Sequence, residues 1–572
     1  MVKILLRRMY TYIKLKQQLL ILLIAFVCTG FGMAIPLMYR YIIDEVIVRH
    51  KIELLGVSII AFLCIIFFQG LTSFLQSFLV SKLGESVGNK IRQQIYDKLT
   101  TLDAISKNQY GNANIVSLFN NDVIQVTSFI STFIFNIVMQ VIVLFAILIT
   151  LFVLNTKLAI FSFTVIPMYL ILVLFMGQRI NHMSMERQKN YVKINMQLQE
   201  DIMGLSSLQI IKAIKYRNKQ FAELLSIFMN NNVNMFAFSN LISQLATIIA
   251  SLGNIIVICA GASMVVKGEI TLGIIIASED YISRLFSPII SIVSLKQTFQ
   301  TVEPSLQRIF EFLDIETKIK DKKNCVDLLE PVEVIKINNL KLRYNEKDEV
   351  IKGISTTIDK GTIVAIVGES GCGKTSLCNI IARLLNPSSG EIIINNRNLI
   401  DYSIKSLREK IYLVQQEPMV YRTSIRDNIM LGEELGNEKF EKVSEEACLD
   451  FIHGKASDEI MGDQGFRLSG GEKRRIALAR ALIRDYEIII LDEPTAGLDN
   501  ITRKHLRDIF FKKRAEGKTI VIISHDVEDY KYADKIIVLK NGKIEAEGKH
   551  EDLVVSSQYY NKLIQIKEDS AT

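Results

Sequence analysis

Within eight residues, Gly368-Glu-Ser-Gly-Cys-Gly-Lys374-Thr375 places three glycines, a lysine and a hydroxyl in a pattern that can hold polyphosphate. Glycines at 368, 371 and 373 let backbone N–H groups curl around phosphate oxygens. Lys374 can reach β- and γ-phosphates, and Thr375 can ligate Mg²⁺. Glu369, Ser370, Cys372 and Ser376 lie in or beside the same loop and are candidate nucleotide contacts. A second polar pair, Asp492 and Glu493, closes the apolar run Ile488 to Leu491. Asp492 suits a water-mediated partner for the metal, which leaves Glu493 to orient or activate an attacking water. The chemistry implied is hydrolysis of a nucleoside triphosphate.

Such groups need elements to hold them. Thr362 to Val367 is a short β-branched run and a helical pattern follows Thr375, so the glycine loop stands in a strand, loop and helix context. Ile488 to Leu491 reads as a second strand, and in a doubly wound sheet carboxylates at its end face the phosphate loop. The expected soluble domain is α/β and spans 332–572, after a charged linker at 315–331.

Residues before that linker have another character. Leu19 to Met38, Leu54 to Val80, Phe129 to Leu154, Leu158 to Met176 and Phe236 to Val266 are uncharged and apolar. Each is near or above the roughly 20 residues that cross a ~30 Å hydrocarbon core. A sixth stretch, Ile270 to Val293, has the length but carries Glu279, Asp280 and Arg284. It is kept as a span because an even count puts both chain ends on one side. The apolar run after the basic first residues is too long for a signal-peptide core and lacks a small-residue cleavage site, so it reads as a membrane anchor. The fold class expected is a multidomain membrane protein, with an all-α transmembrane domain of six helices over 1–314 followed by the α/β P-loop nucleotide-binding domain.

Lys3, Arg7, Arg8, Lys14 and Lys16 precede span one, and the 81–128 and 177–235 connections carry five and eight more Lys or Arg. The positive-inside rule makes these the cytoplasmic side, with both termini and the ATPase there. The location expected is the cell membrane, multi-pass. The two inside connections are helical in pattern, so spans two to five should continue into the cytoplasm. The formal charge of +7 is thereby read as orientation signal and not as a nucleic-acid surface. A hydrophobic share of 49% beside 22% charged residues fits this segregation along the chain. Seven scattered cysteines, with no C-x-x-C pair, read as thiols in a reducing setting.

The sequence resembles the ATP-binding-cassette (ABC) superfamily, and within it the exporter-type half-transporters, over essentially the whole chain. The diagnostic piece is Leu468-Ser-Gly-Gly-Glu472, similar to the family's LSGGQ signature, between the phosphate loop and the Asp492-Glu493 strand. The resemblance implies that Ser469, Gly470 and Gly471 close over ATP held by the phosphate loop of a second copy. It also implies that Tyr344 stacks on adenine, that Gln416 is the Q-loop amide reaching metal and water, that Asp499 is the D-loop aspartate, and that His525 is the switch histidine. The implied cofactors are ATP and Mg²⁺, and the implied catalytic set is Lys374, Gln416, Glu493 and His525, with Thr375, Gln416 and Asp492 at the metal.

Several positions depart from the pattern. Glu472 stands where exporters usually have Gln, and Pro-Thr-Ala-Gly-Leu-Asp499 where Ala-Thr-Ser-Ala-Leu-Asp is common. The segment between Ile425 and Gly462 is short, lacks Pro-Glu-Gly, and Asp463 stands where Glu is frequent. None of these removes a catalytic group. With Glu493 and His525 both retained, a homodimer is expected ahead of a heterodimer.

The function expected from the resemblance is alternating-access export of a small molecule, peptide or lipid, with no peptidase domain ahead of span one. The competing readings are an importer on the same fold and an ATP-gated channel or regulatory subunit. Glu279 falls roughly 14 Å along span six, near the bilayer midplane, where a lipid-facing carboxylate is costly. It is therefore expected to face a transport cavity and favour a cationic or zwitterionic substrate. Asp280 either joins it or pairs with Arg284 four residues on.

Overall fold

The computed structural model describes residues 8, 11–12, 15–103, 106–107, 110–317, 319–345, 348–433, 436–450 and 468–571. The chain forms two compact units: 1–98 with 113–314, and 99–112 with 315–572. The expected Gly462-Asp463 segment lies outside the described residues.

In the first unit, uncharged apolar sequence becomes long helix, because in hydrocarbon every backbone group must be satisfied within its own segment. Among the described residues, five stretches are long and apolar enough to cross a membrane: Leu15–Val48, Ile52–Thr101, Asn114–Leu154, Thr156–Met203 and Ile214–Val266. Their principal helices are α1 (Leu15–Tyr41), α2 (Leu55–Thr101), α3 (Phe135–Leu154), α4 (Val165–Met203) and α5 (Ile214–Val266). The sixth expected span lies on α6 (Leu272–Asp314), whose charges keep it out of that apolar set. With 47 and 53 residues, α2 and α5 run about 70–80 Å, well beyond a hydrocarbon core.

Side chains set the helix boundaries. Asn155 Oδ1 accepts from the Leu158 backbone N–H at 3.0 Å and starts a short helix directly after α3, which makes a tight hairpin. Asp44, just beyond α1, accepts from the Gly273 N–H at 2.9 Å and the Thr271 hydroxyl at 2.6 Å, so the start of α6 is capped from another helix. A Cβ on Gly273 would stand 2.7 Å from the Asp44 carboxylate carbon, which explains the glycine.

The second unit holds two sheets. The smaller is antiparallel and joins β1 (Val334–Asn345), β2 (Asp348–Asp359), β4 (Ser389–Ile394) and β5 (Arg397–Asn398) in the order β2-β1-β4-β5. The larger runs β10-β9-β3-β8-β7-β6, from β3 (Ile363–Gly368), β6 (Ile411–Val414), β7 (Ile488–Asp492), β8 (Thr519–Ile523), β9 (Lys535–Lys540) and β10 (Lys543–Gly548). All its pairings are parallel except β9 with β10. Strands β3, β7 and β8 are buried along their whole length, as continuous apolar runs in a parallel sheet require. Alternate residues feed two cores: Ala365, Leu491 and Ile522 face one, while Ile366, Ile490 and Val521 face the other.

The stretch read as a linker packs on this unit. Val326 N–H donates to the Asp401 carbonyl at 3.0 Å, and Leu328 N–H to the Ser406 hydroxyl at 2.9 Å. Residues 99–112, between spans two and three, also belong to it.

Candidate ATPase site

Parallel strands bring their carboxyl ends to one edge, and the polar residues collect there. The loop after β3 leads into α7 (Lys374–Ile381), whose N-cap Gly373 sits at φ +103°, a conformation that side-chain-bearing residues avoid. A Cβ on Gly368 would collide with the Leu539 carbonyl oxygen of neighbouring β9. Lys374 is buried, and its Nζ lies 3.0 Å from the Gly368 carbonyl and 2.9 Å from that of Glu369, inside the loop.

Across the sheet edge, the Thr375 hydroxyl donates to Asp492 Oδ2 at 2.8 Å. Asp492 is buried, and burial is the main cause that lifts its carboxyl above the usual carboxylate value; the neighbouring Glu493 charge adds to the lift, and the Thr375 bond opposes it. Glu493 takes a left-handed backbone, φ +51°, which costs an L-residue about 1–2 kcal/mol. Its N–H donates to the Ile523 carbonyl at 2.9 Å, which helps hold the turn. Two side chains converge on its carboxylate: Gln416 Nε2 donates to Oε2 at 3.1 Å, and His525 Nε2 stands 3.4 Å from Oε1.

These groups line one cleft of about 280 Å³, from Ser370, Gly371, Gly373, Lys374, Thr375 and Ser376 on the loop side to Gln416, Asp492, Glu493 and His525 on the other. Tyr344 is tied to the same region, with its hydroxyl 3.0 Å from that of Ser376. Cys372 is buried, and burial pushes its thiol up in pKa, so it is a poor nucleophile. Backbone N–H groups at a helix start, a buried ammonium, and a hydroxyl beside a carboxylate are the donor set that a triphosphate with a hard cation requires.

Signature residues stand elsewhere. Ser469 caps α8 (Gly470–Leu482) in a reciprocal box: its hydroxyl accepts from the Glu472 N–H at 3.2 Å, and Glu472 Oε2 accepts from the Ser469 N–H at 2.6 Å. Glu472, the departure from the usual Gln, thus serves the helix start. None of Ser469, Gly470 or Gly471 lines the phosphate cleft of its own chain. Asp499 caps α9 (Asn500–Ala515) through the N–H groups of Ile501 at 3.0 Å and Thr502 at 2.9 Å, and these bonds hold its carboxyl below the usual range.

Two connecting residues had no signal in the sequence. The Arg474 guanidinium reaches the Gln416 carbonyl at 3.3 Å and the Ala496 carbonyl, so α8 ties the Gln416 backbone to the turn after Glu493. Buried Asp529 accepts from Ser524 at 2.7 Å and from Thr495, tying the residue before His525 to the turn after Glu493. Gln416, Ala496 and Thr495 lie 22 to 58 residues from the groups they meet, where no fixed spacing betrays them.

Comparison with known proteins places this geometry. Residues 351–496 match the ABC transporter family model, and residues 19–289 match the ABC transporter transmembrane region. The chain belongs to the ABC transporters. Both regions are fused in one polypeptide, as in exporter-type half-transporters. The transporter is 29% identical over 535 residues to the ATP-dependent lipid A-core flippase of Syntrophus aciditrophicus, covering 92% of this chain and 88% of that one. It is 26% identical over 572 residues to a candidate multidrug export ATP-binding/permease protein of Bacillus subtilis, covering 96% and 97%. Its fold matches the solved structure of a bacterial Atm1-family ABC exporter with ATP bound, at a TM-score of 0.81 and 20% identity, over 96% of this chain and 98% of that chain.

Proposed function

We propose that the transporter is an ATP-hydrolysing exporter that works as a homodimer by alternating access. The observation that carries this reading is the convergence of Gln416 and His525 on Glu493, beside the Thr375–Asp492 bond. Every catalytic group expected from one chain is present, so two identical chains supply two competent sites. That Ser469, Gly470 and Gly471 lie off their own chain's cleft supports a role over the nucleotide of a partner copy.

In this mechanism the phosphate loop and Lys374 bind and orient the triphosphate. Glu493 accepts a hydrogen bond from the attacking water and takes its proton, Gln416 positions that water, and His525 contacts the γ-phosphate. Mg²⁺, when bound, would be held by Thr375, Asp492 and Gln416 and would neutralise phosphate charge. Tyr344 offers a ring to adenine. Residues 1–314 form the transmembrane domain, and 332–572 the ATPase, with the N-terminus and ATPase on the cytoplasmic side of the cell membrane.

The named activities of the relatives suggest a lipid or drug-like amphiphile as substrate. In span six, Asp280 pairs with Arg284 at 3.0 Å, while Glu279 is met by the neutral amide of Asn254 at 3.1 Å. The charge left at Glu279 favours a cationic or zwitterionic molecule. The test is ATP-dependent, vanadate-sensitive uptake of a fluorescent phospholipid and of a cationic dye into proteoliposomes with the ATPase outside. Uptake against a gradient supports export. Flux only down a gradient would support a channel, and loss of preloaded probe an importer.

A further inference from the structure

Span one carries Pro36 inside α1. A proline in a helix has no N–H for the carbonyl four residues back, and its ring crowds that carbonyl. Here the carbonyl is that of Gly32, buried within an apolar span where water does not satisfy it. The donor comes from span six. Arg284 Nη1 lies 3.1 Å from the Gly32 carbonyl oxygen, and the buried Tyr281 hydroxyl donates to the Met33 carbonyl one residue on. Asp280, one turn back on α6, balances the guanidinium. The residues that make span six look unlike a membrane helix thus answer a gap in the hydrogen bonding of span one.

We infer that Arg284 and Tyr281 are positioning residues that fasten span six to span one at the Pro36 break. On the alternating-access reading, on which this rests, α6 is one helix, with Pro288 and Pro304 inside it, to Asp314, where the chain enters the ATPase unit, so its motion is passed to span one through this pair of bonds in addition to the Asp44 bonds to Thr271 and Gly273. Pro36 also supplies the place where α1 can bend. Asp280 is the counter-ion of the fastening and not a substrate ligand.

The experiment uses the full-length protein in proteoliposomes, with native cysteines replaced and one reporter, either Val48→Cys beyond span one or Leu272→Cys at the start of span six. Both positions are exposed. Labelling by a membrane-impermeant maleimide is read with and without ATP plus vanadate, and thermal stability is read in parallel. Arg284→Met should lower Tm and reduce the nucleotide-dependent labelling change at Val48→Cys by about threefold or more, a size typical of coupled neighbours, while Leu272→Cys still responds. Adding Pro36→Ala gives Gly32 a donor of its own, so Tm should recover but the Val48→Cys response should not. Arg284→Lys keeps a donor and should recover both. Tyr281→Phe, a smaller lesion, should show the same split if Arg284→Met does not fold. An undiminished Val48→Cys response in Arg284→Met, or in Tyr281→Phe where it stands in, overturns the transmission role. Additive Tm effects of Pro36→Ala and Arg284→Met overturn the assignment of Arg284 to the Gly32 carbonyl. If neither reporter responds to nucleotide in the parent protein, the alternating-access reading itself fails and takes the transmission role with it, while the Tm cycle still decides the carbonyl assignment.

Discussion

The Thr375 hydroxyl donates a 2.8 Å hydrogen bond to Oδ2 of Asp492, joining the phosphate loop to the end of β7 across 117 residues. The bond holds two metal-ligand candidates side by side, and burial makes the carboxylate costly to charge. Because the folded-state pKa lies above the unfolded value, the native state binds this proton more tightly. Asp492 therefore adds stability as pH falls through its folded pKa and withholds it at neutral pH. Asp492→Asn should raise the Tm of the nucleotide-free protein at pH 7.5 by about 1–3 °C and flatten its rise on acidification. The same variant should lose the extra thermal shift that Mg²⁺ adds to ATP. Differential scanning fluorimetry across pH, with and without Mg-ATP, checks both.

Glu493 is approached by Gln416 at 3.1 Å and His525 at 3.4 Å and is the general base in this account. Glu493→Gln can still accept water's hydrogen bond but cannot take its proton, so steady-state hydrolysis should fall by about 10²-fold or more. ATP affinity should be kept, and ATP should trap a closed dimer. Lys374→Ala should instead weaken nucleotide binding itself. Equilibrium binding of a fluorescent ATP analogue beside phosphate release separates the two.

Glu279 and Asp280 should part company when tested singly. Asp280→Asn unbalances Arg284, so it should lower Tm and leave the preference among stimulating compounds unchanged. Glu279→Gln keeps a partner for Asn254 and should hold Tm, yet reduce ATPase stimulation by cationic amphiphiles several-fold relative to neutral ones. Unchanged stimulation by every cation in Glu279→Gln would remove it from the cavity.

Much of the ATPase site was legible from sequence because its chemistry requires fixed residue types at short range: glycines and a lysine within one loop, a carboxylate pair ending one strand. The long spans were legible because hydrocarbon demands unbroken apolar helix. What stayed hidden depends on partners far along the chain. Arg284 reads from sequence only as a possible partner for Asp280, since its acceptor, Gly32, is 252 residues away and open to it only because Pro36 follows. Asp44 at the start of α6, Arg474 against the Ala496 carbonyl, and Asp529 against Thr495 are hidden for the same reason. The charged stretch 315–331 reads as a linker because the partners that dock it lie nearly 80 residues on, Asp401 for Lys322 and Ser403 for Asp327, which composition does not encode.

Steady-state ATPase of purified mixed dimers shows whether two identical chains build two shared ATP sites. In one arrangement a chain with Lys374→Ala is paired with a chain carrying Ser469→Arg; in the other, both lesions sit in one chain paired with an unaltered copy. If the signature of each copy faces the phosphate loop of its partner, the first arrangement confines both lesions to one site and leaves the other intact, whereas the second spoils both. Shared sites require clear residual hydrolysis in the first arrangement and background in the second. Equal activity in the two, or the reverse order, would contradict them.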